Sequence, residues 1–448
     1  MKELSFKNIQ SLALPAIISG ITEPILSATD AAVVGNIPIN GTEALAAVGV
    51  VGSFLSMLIW VLAQTRSAIS TIVAQNLGAG KVEGLNRFPG QAIVFNVGLG
   101  VLILVITSLF IKEIFILLNA DGLVLDFSMS YYKIRVWGFP LTLFTFALFG
   151  VFRGLQNTLY PMIVAGCGAL LNVGLDFLLV YGYGSLIPAL GVDGAAWASL
   201  IAQAFMAVFV LVIYLRKSQI SLAFWGPIHV EISRLITMSV HLFFRSIALN
   251  AVLIMAVREA NGISPEAMAA HTIAINIWLF SAFFIDGYGA AGNLIGGKLL
   301  GAKQYTALWQ LTKKVNQYNL VVAVGLMILG GLLYQQIGQL FVRDPAVLPL
   351  YYSMFFLIVL IQPFNAIAFT MDAIFKGLGE MAFLRNSLIG AALFGFAPVL
   401  LWSHYVDGGL NGIWWALLSW LVFRAAVLVL KFKKSYYPLA IKNPAPQN

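Results

Sequence analysis

Twelve long apolar stretches constrain the fold of this chain more than any other feature of its sequence. About 20 apolar residues let a helix cross a bilayer, where only helices and closed barrels satisfy their own backbone groups. The connections between the stretches are short. The sequence therefore predicts an all-α integral membrane protein without a nucleotide-binding domain. The stretches lie at about 11–35, 46–74, 89–112, 131–153, 161–184, 192–215, 233–258, 266–297, 313–340, 349–375, 384–404 and 409–431.

Charged residues are few and unevenly placed. They make up 10% of the chain, against about 25% in soluble proteins, and the net charge is +8. Most of the basic residues lie on the side of the membrane that the N-terminus occupies. This distribution follows the positive-inside rule and predicts a multi-pass protein of the inner (plasma) membrane with both termini in the cytoplasm. Membrane lipids are therefore the expected partners of the positive charge, and nucleic acid is not. With the N-terminus inside, few basic residues fall on the outer side, namely Lys112, Lys133, Arg135, Arg258 and Arg343.

The sequence repeats itself at an offset of 223 residues. Ala44–Val50 matches Ala267–Ile273, and Leu77–Lys81 matches Leu300–Gln304. Six stretches per repeat is an even number, so both repeats enter the membrane from the same side and are related by an axis along its normal. The predicted domains are an N-terminal six-helix lobe at 1–215, a cytoplasmic linker at 216–232, and a C-terminal six-helix lobe with a short basic tail at 233–448.

Eight motifs occur in an informative order along the chain: Pro15, Asp30–Gly35, Leu45–Val48, Gln75–Gly80, Asn172–Asp176, Gly194–Ser199, Asp286–Ala291 and Asp372–Gly377. In this order and spacing they resemble the multidrug and toxic compound extrusion (MATE) family, and the later motifs resemble its DinF-type branch. The resemblance covers essentially the whole chain. It implies twelve transmembrane helices in two lobes related by pseudo-two-fold symmetry, and a secondary antiporter that works by alternating access.

Two pairs of opposite charges lie at matched depths in neighbouring apolar stretches, as counted from the helix rise. Glu23 matches Arg66 in the first half, and Arg245 matches Asp286 in the second half. A lone buried charge is far more costly than a paired one. We therefore predict the ion pairs Glu23–Arg66 and Arg245–Asp286, which either lock neighbouring helices together or take part in gating.

Asp30, Asn172 and Asp176 form the predicted coupling site. Asn172 and Asp176 are four residues apart and so share one helix face. Asp30 has no basic residue at its depth in neighbouring sequence, and burial without such a partner favours the neutral form of a carboxyl group, as proton carriage requires. The resemblance adds Ser199 as the hydroxyl of a cation-coupling network. The alternatives are an interfacial position for Asp30 and interhelical hydrogen bonding for the other two.

Two further groups of residues have predicted roles. Pro15 and Pro24 remove backbone hydrogen bonds from the first helix and allow it to bend. Asp372, Trp278 and Asn276 are candidates for substrate binding or for a second-lobe site, although an interfacial ion pair would also explain Asp372.

The predicted function is an antiporter that imports protons and exports amphipathic, cationic organic compounds as a monomer. Sodium is the less favoured coupling ion, because the second half lacks the span-7 acid that some members of the resembled family use for it. The alternative is a flippase for lipid-linked precursors, a class of related fold that needs a cationic central cavity. The expected partners are small organic substrates and membrane lipids. No metal-site, nucleophile–base or phosphate-loop pattern occurs, so we expect neither an enzyme nor a cofactor or metal.

Overall fold

The described part of the chain is almost entirely helical. The fold is taken from a computed structural model that describes residues 4–342 and 344–442, apart from the side chains of residues 22–28. Its helices are α1 (Phe6–Gly35), α2 (Gly41–Leu62), α3 (Gln64–Gly78), α4 (Phe88–Leu109), α5 (Ile111–Leu117), α6 (Gly122–Arg135), α7 (Gly138–Gly154), α8 (Leu159–Tyr181), α9 (Val192–Lys217), α10 (Val230–Ile263), α11 (Pro265–Gly301), α12 (Tyr305–Phe341), α13 (Val347–Leu378), α14 (Met381–Ala391), α15 (Ala397–Tyr405) and α16 (Gly409–Lys442).

The number of possible membrane crossings agrees with the sequence. Within the described residues, ten helical stretches are long and apolar enough to cross a bilayer, and the bent pair α6–α7 adds an eleventh. The helix α1 has 30 residues, more than the roughly 20 that a crossing needs. Counting α1, the described chain has twelve spans, and the predicted fold class is confirmed.

The fourth span differs from its predicted form. It begins at Gly122 instead of near 131, and it bends by 45° between α6 and α7. Its first half is amphipathic, with Lys133 and Arg135 in the last turn and Tyr131 and Tyr132 buried. This mixed composition lowers the hydropathy of the segment, so the sequence alone began the span near 131 and left residues 122–130 outside it.

The described chain forms two compact units. The N-terminal unit comprises Ile18–Val73 and Lys81–Thr237; the C-terminal unit comprises the residues up to Ile17, Ala74–Gly80 and the chain from Met238. These units differ from the predicted lobes because two segments of the first half belong to the C-terminal unit. The core of the N-terminal unit includes Val51 and Phe115, and that of the C-terminal unit is richest where α11, α13 and α16 meet.

Glycines at equivalent positions of the repeat permit equivalent helix contacts inside each unit. In the N-terminal unit, a Cβ atom at Gly154 would lie 2.8 Å from the carbonyl oxygen of Ser70. In the C-terminal unit, a Cβ atom at Gly377 would overlap the carbonyl oxygen of Asn293. The two contacts are related by the offset of 223 residues, so the sequence repeat is also a repeat of packing.

A second glycine pair accounts for the position of residues 74–80 in the C-terminal unit. A Cβ atom at Gly78 would overlap the carbonyl oxygen of Lys298, and a Cβ atom at Gly301 would overlap that of Gln75. The Nε2 of Gln75 also donates to the carbonyl oxygen of Gly377 at 2.8 Å. The end of α3 and the end of α11 therefore cross with their backbones in direct contact, which only glycine allows.

Candidate functional site

Four polar side chains of the N-terminal unit meet in apolar surroundings, and we name them the acid–amide site: Asp30 on α1, Asn172 and Asp176 on α8, and Ser199 on α9. The Nδ2 of Asn172 donates to Asp176 Oδ2 at 2.8 Å and to Asp30 Oδ1 at 3.4 Å. The Oγ of Ser199 lies 3.5 Å from both Asp30 Oδ2 and Asn172 Oδ1. Each of the four is at most 8% exposed. The structure thus brings together all four residues that were predicted to act in cation coupling.

The local sequence explains why these side chains converge. The buried face of α8 recurs every three or four residues, as expected for one face of a helix. Small residues flank Ser199 on α9, so the two helices pack closely. The buried residues of α8 are Pro161, Val164, Gly168, Asn172, Asp176 and Val180, and the small buried neighbours on α9 include Ala195, Ala198 and Ala202.

The acid–amide site has the chemistry to hold one small positive charge. The carboxyl groups of Asp30 and Asp176 are near enough to interact directly. Among the described residues, Asp176 Oδ1 is buried and has no hydrogen-bond partner. A carboxyl oxygen of this kind can accept a proton held by its neighbour or coordinate a small cation. Two adjacent carboxylates also repel one another, and a shared proton or cation relieves that repulsion.

Two residues near the acid–amide site were not predicted. Tyr131 and Arg135, both on α6, interact electrostatically with its carboxyl groups. The guanidinium of Arg135 lies 5.9 Å from the ring centre of Tyr131. The sequence placed Arg135 at the outer end of the fourth stretch, because it began that stretch near residue 131. The four-residue spacing of the two would have placed them on one helix face had α6 been recognised.

The C-terminal unit contains a second group of buried charges, which we name the basic cluster: Asp372 and Lys376 on α13, Arg245 on α10 and Arg424 on α16. Arg245 donates through Nε and Nη2 to Asp372 Oδ1 at 3.0 and 2.7 Å. Lys376 Nζ lies 3.2 Å from Asp372 Oδ2, and Arg424 Nη2 lies 3.6 Å from Oδ1. One carboxylate therefore has three basic neighbours.

The predicted pair Arg245–Asp286 is not the pair that the structure contains. Arg245 is bonded to Asp372, whereas the side chain of Asp286 is exposed on α11 and interacts electrostatically with Lys376. Depth along a helix does not reveal the direction in which a side chain points, and α13 also packs on α11. Matching the two residues by their depth in the membrane therefore paired Arg245 with the wrong acid.

The other predicted residues of the first half are described only in part. The side chains of Glu23 and Pro24 lie outside the described residues. Arg66 lies on α3 with its guanidinium 5.1 Å from the ring centre of Phe146. Pro15 is buried within α1. The pair Glu23–Arg66 and the bending of the first helix stay predictions.

Three tryptophans pack together next to the basic cluster and leave no room between them for a water molecule. Trp278 is one of them and is 4% exposed. Asn276 is exposed on another face of α11, where its Nδ2 donates to the carbonyl oxygen of Thr272 at 2.9 Å. The structure therefore separates two residues that were predicted for one site. The residues of this closely packed group are Trp278, Ile361, Trp414, Leu417, Trp420 and Leu421.

The architecture itself indicates a class of protein. Repeated sets of six spans with ionisable groups inside them are typical of multi-pass secondary transporters. Within the described residues, no group of three His, Cys, Asp or Glu side chains could hold a metal ion.

A family model described as MatE matches residues 15–178 and 241–400, more than half of the chain. The chain therefore belongs to the MatE family of membrane transporters, and the predicted family is confirmed. The two matched segments correspond to the two copies of the repeat.

Several relatives match the chain. The DNA damage-inducible protein F of Escherichia coli (strain K12) is 25% identical over 96% of this chain and 93% of its own length. The probable multidrug resistance protein NorM of Thermotoga maritima is 24% identical over 95% of this chain and 92% of its own. Protein DETOXIFICATION 43 of Arabidopsis thaliana is 29% identical over 66% of this chain, and the match spans only 55% of that protein.

Solved structures agree with the fold. One described as MATE in the bent conformation has a TM-score of 0.89 at 20% identity and covers 97% of this chain and 96% of that one. An outward-facing multidrug resistance MATE family transporter of the MOP superfamily has a TM-score of 0.87 at 20% identity and covers 98% and 97%. At this identity the likeness extends to the fold alone.

Proposed function

We propose that this protein is a cation-coupled secondary antiporter that exports amphipathic organic compounds by alternating access, with protons as the preferred coupling ion. The observation that carries the proposal is the acid–amide site, in which two buried carboxyl groups share one amide donor. Membership of the MatE family and relatives named as multidrug resistance proteins support the export of organic compounds.

The contrast between the two charged sites supports the choice of the coupling residues. The hydrogen-bond partners of Asp30 and Asp176 are an amide and a hydroxyl, which bond to a carboxyl group in either protonation state, and the basic Arg135 interacts with the site electrostatically. Asp372 instead contacts three basic groups, which hold it as a carboxylate. A carrier must bind and release its ion in every cycle. We therefore assign coupling to Asp30 and Asp176, with Asn172 and Ser199 as positioning residues.

The acid–amide site suits protons better than sodium, because a proton needs fewer oxygen ligands than a sodium ion. Sodium is bound by several oxygens at once, whereas Asn172 directs its Nδ2 at both acids and leaves one amide oxygen facing Ser199. A proton needs only one carboxyl oxygen and one acceptor.

On the same proposal the chain is a monomer of the inner (plasma) membrane with both termini in the cytoplasm. Bending of α1 near Pro15 would link protonation of Asp30 to the conformational change.

The alternative, a flippase for lipid-linked precursors, retains one supporting observation. Such a protein needs basic groups within the membrane to hold a pyrophosphate, and the basic cluster contains three. The match to the MatE family favours the antiporter. A flippase of this kind would move a lipid-linked pyrophosphate between leaflets, and that movement is measured separately from the flux of soluble compounds.

Flux into proteoliposomes tests the proposal. The purified protein would be reconstituted with a fluorescent organic amphiphile, and an imposed pH or sodium gradient would drive its exchange. We expect a response to the pH gradient that Asp30→Asn abolishes and Asp126→Asn retains, because Asp126 is an exposed acid of α6 outside the site. Flux insensitive to both gradients would refute the antiporter. Flux driven only by sodium would refute the preference for protons.

A further inference from the structure

The connection between α9 and α10 carries large apolar side chains that the described structure leaves exposed. Its residues 218–229 have an irregular conformation, and the sequence predicted them as part of a cytoplasmic linker. Trp225 is 90% exposed, and Ile228 and Val230 are each 82% exposed. We name these three residues the linker tip. Several large apolar side chains exposed in one short segment indicate a surface that binds a membrane or another protein.

Hydrogen bonds to α4 and to the loop before it hold the linker in place. Gln91 Nε2 donates to the carbonyl oxygen of Pro227 at 3.1 Å, and the backbone N–H of His229 donates to Gln91 Oε1 at 2.8 Å. The Nε2 of His229 lies 2.9 Å from the carbonyl oxygen of Gly84. These bonds lie on both sides of Ile228, so the backbone is fixed while the apolar side chain stays exposed.

Two glycines allow the linker to turn sharply against the start of α4. A Cβ atom at Gly90, in the first turn of α4, would overlap the carbonyl oxygen of Ala223. Gly226 has a φ of +124°, which side chains other than glycine rarely adopt, and a Cβ atom there would lie 3.0 Å from Arg87 Cζ. The chain therefore reverses its direction at Gly226 with Trp225 beside the turn.

This contact fixes the depth of the linker tip relative to the membrane. The helix α4 begins at Phe88, and its apolar stretch begins at about residue 89. A segment packed on the first turn of α4 therefore lies where a span enters the bilayer, between the headgroups and the hydrocarbon. Tryptophan is enriched at this boundary, because its ring is apolar and its N–H group is polar.

Basic side chains surround the linker tip and favour anionic headgroups. Glu231 is paired with Arg234 at 3.5 Å, and Glu83 is the other acid close to the linker in sequence or in contact. Apolar anchors with a basic border bind membranes by burial of the apolar groups and by attraction to anionic lipids. The exposed basic residues next to the linker are Arg87, Arg216 and Lys217.

We propose that the linker tip inserts into the interface of the leaflet on its own side, and that Arg87 binds the phosphate of an anionic lipid there. Trp225, Ile228 and Val230 would lie among the headgroups and the upper acyl chains. The linker then anchors the N-terminal unit to that leaflet. This inference goes beyond the proposed transport function and depends neither on the coupling ion nor on the substrate.

Fluorescence quenching tests the position of the linker tip. The full-length Cys167→Ala protein would carry bimane at Ile228→Cys, in phosphatidylcholine nanodiscs with and without phosphatidylglycerol. Quenchers are a phospholipid with a nitroxide high on its acyl chain and aqueous iodide. The control is bimane at Lys303→Cys, an exposed residue of the turn between α11 and α12. Because the tip is expected at the interface, the lipid nitroxide should quench it about threefold more than the control, and iodide should quench it less. Equal access to iodide at the two positions would overturn the proposal.

A charge variant tests the anionic lipid. Phosphatidylglycerol should increase quenching of the tip by the lipid nitroxide, and Arg87→Gln should remove about half of that increase, since it removes one of three basic groups at the border. Lys433→Gln, at an exposed lysine of α16, is the matched control and should retain the whole increase. Circular dichroism would verify that Arg87→Gln is folded. No response to phosphatidylglycerol, or an unchanged response in Arg87→Gln, would refute the assignment to an anionic lipid.

Two other outcomes have defined meanings. A bimane label at Ile228→Cys that is shielded from both quenchers is covered by protein, which would overturn the proposed contact with lipid. The quenching is measured without a gradient, so it is independent of the flux test. Absence of gradient-driven flux would refute the antiporter alone, and an iodide-accessible tip would refute the membrane anchor alone.

Discussion

Replacing Asp372 with asparagine removes the carboxylate that Arg245, Lys376 and Arg424 share. Arg245 directs two N–H groups at this carboxylate, at 3.0 and 2.7 Å. Loss of one partner from a buried ion pair costs about 3–5 kcal/mol, and each hydrogen bond to a charged group contributes roughly 1.5–3 kcal/mol. An asparagine oxygen can still accept one of the two bonds. We therefore expect the free energy of unfolding to fall by about 3 kcal/mol in Asp372→Asn.

The measurement is unfolding of the purified protein in mixed micelles by increasing mole fraction of SDS, followed by circular dichroism. The matched control is Asp286→Asn, which neutralises the acid that the sequence paired with Arg245. Asp286 is exposed, so this change should cost less than about 1 kcal/mol. Equal losses in the two variants would refute the reasoning from the structure and would favour the pair predicted from helix depth.

Two further predictions concern the packing and capping of helices. Gly78→Val should lower the free energy of unfolding by about 1–3 kcal/mol, because its side chain would overlap the carbonyl oxygen of Lys298. Gly98→Val, at a glycine with open space around it, is the control, and equal melting temperatures for the two variants would contradict the close contact. Ser264→Ala should cost about 1 kcal/mol, because Ser264 Oγ accepts from the backbone N–H of Ala267 at the start of α11. An unchanged SDS unfolding midpoint would refute that contribution.

Most of the acid–amide site could be predicted because three of its residues can each be recognised from the sequence immediately around them. The spacing of Asn172 and Asp176 fixes a shared face of α8 whatever the rest of the fold. Asp30 could be added because a carboxyl group without a base is costly in an apolar span. Ser199 needed the family resemblance, since a serine beside small residues is common in membrane helices.

The basic cluster could not be predicted in the same way. Its members lie on α10, α13 and α16, and Arg245 is 127 residues away from Asp372 in the chain. Depth alone matched Arg245 with Asp286, and no sequence pattern drew Arg424 into the group. The orientation of each helix about its own axis decides such contacts, and tertiary packing sets that orientation.

The sequence by itself determined the number of spans, the repeat and the family of this protein, because apolar length and period depend on residues that are close in the chain. It also determined that charges lie within the membrane, because each such charge is visible in an apolar stretch. Only the tertiary structure decided which charges meet. It placed Arg135 near the acid–amide site by bending the fourth span, and it placed three basic groups on Asp372. Rotation of a helix by one residue moves a side chain about 100°, so partnership within a membrane is decided by packing between helices.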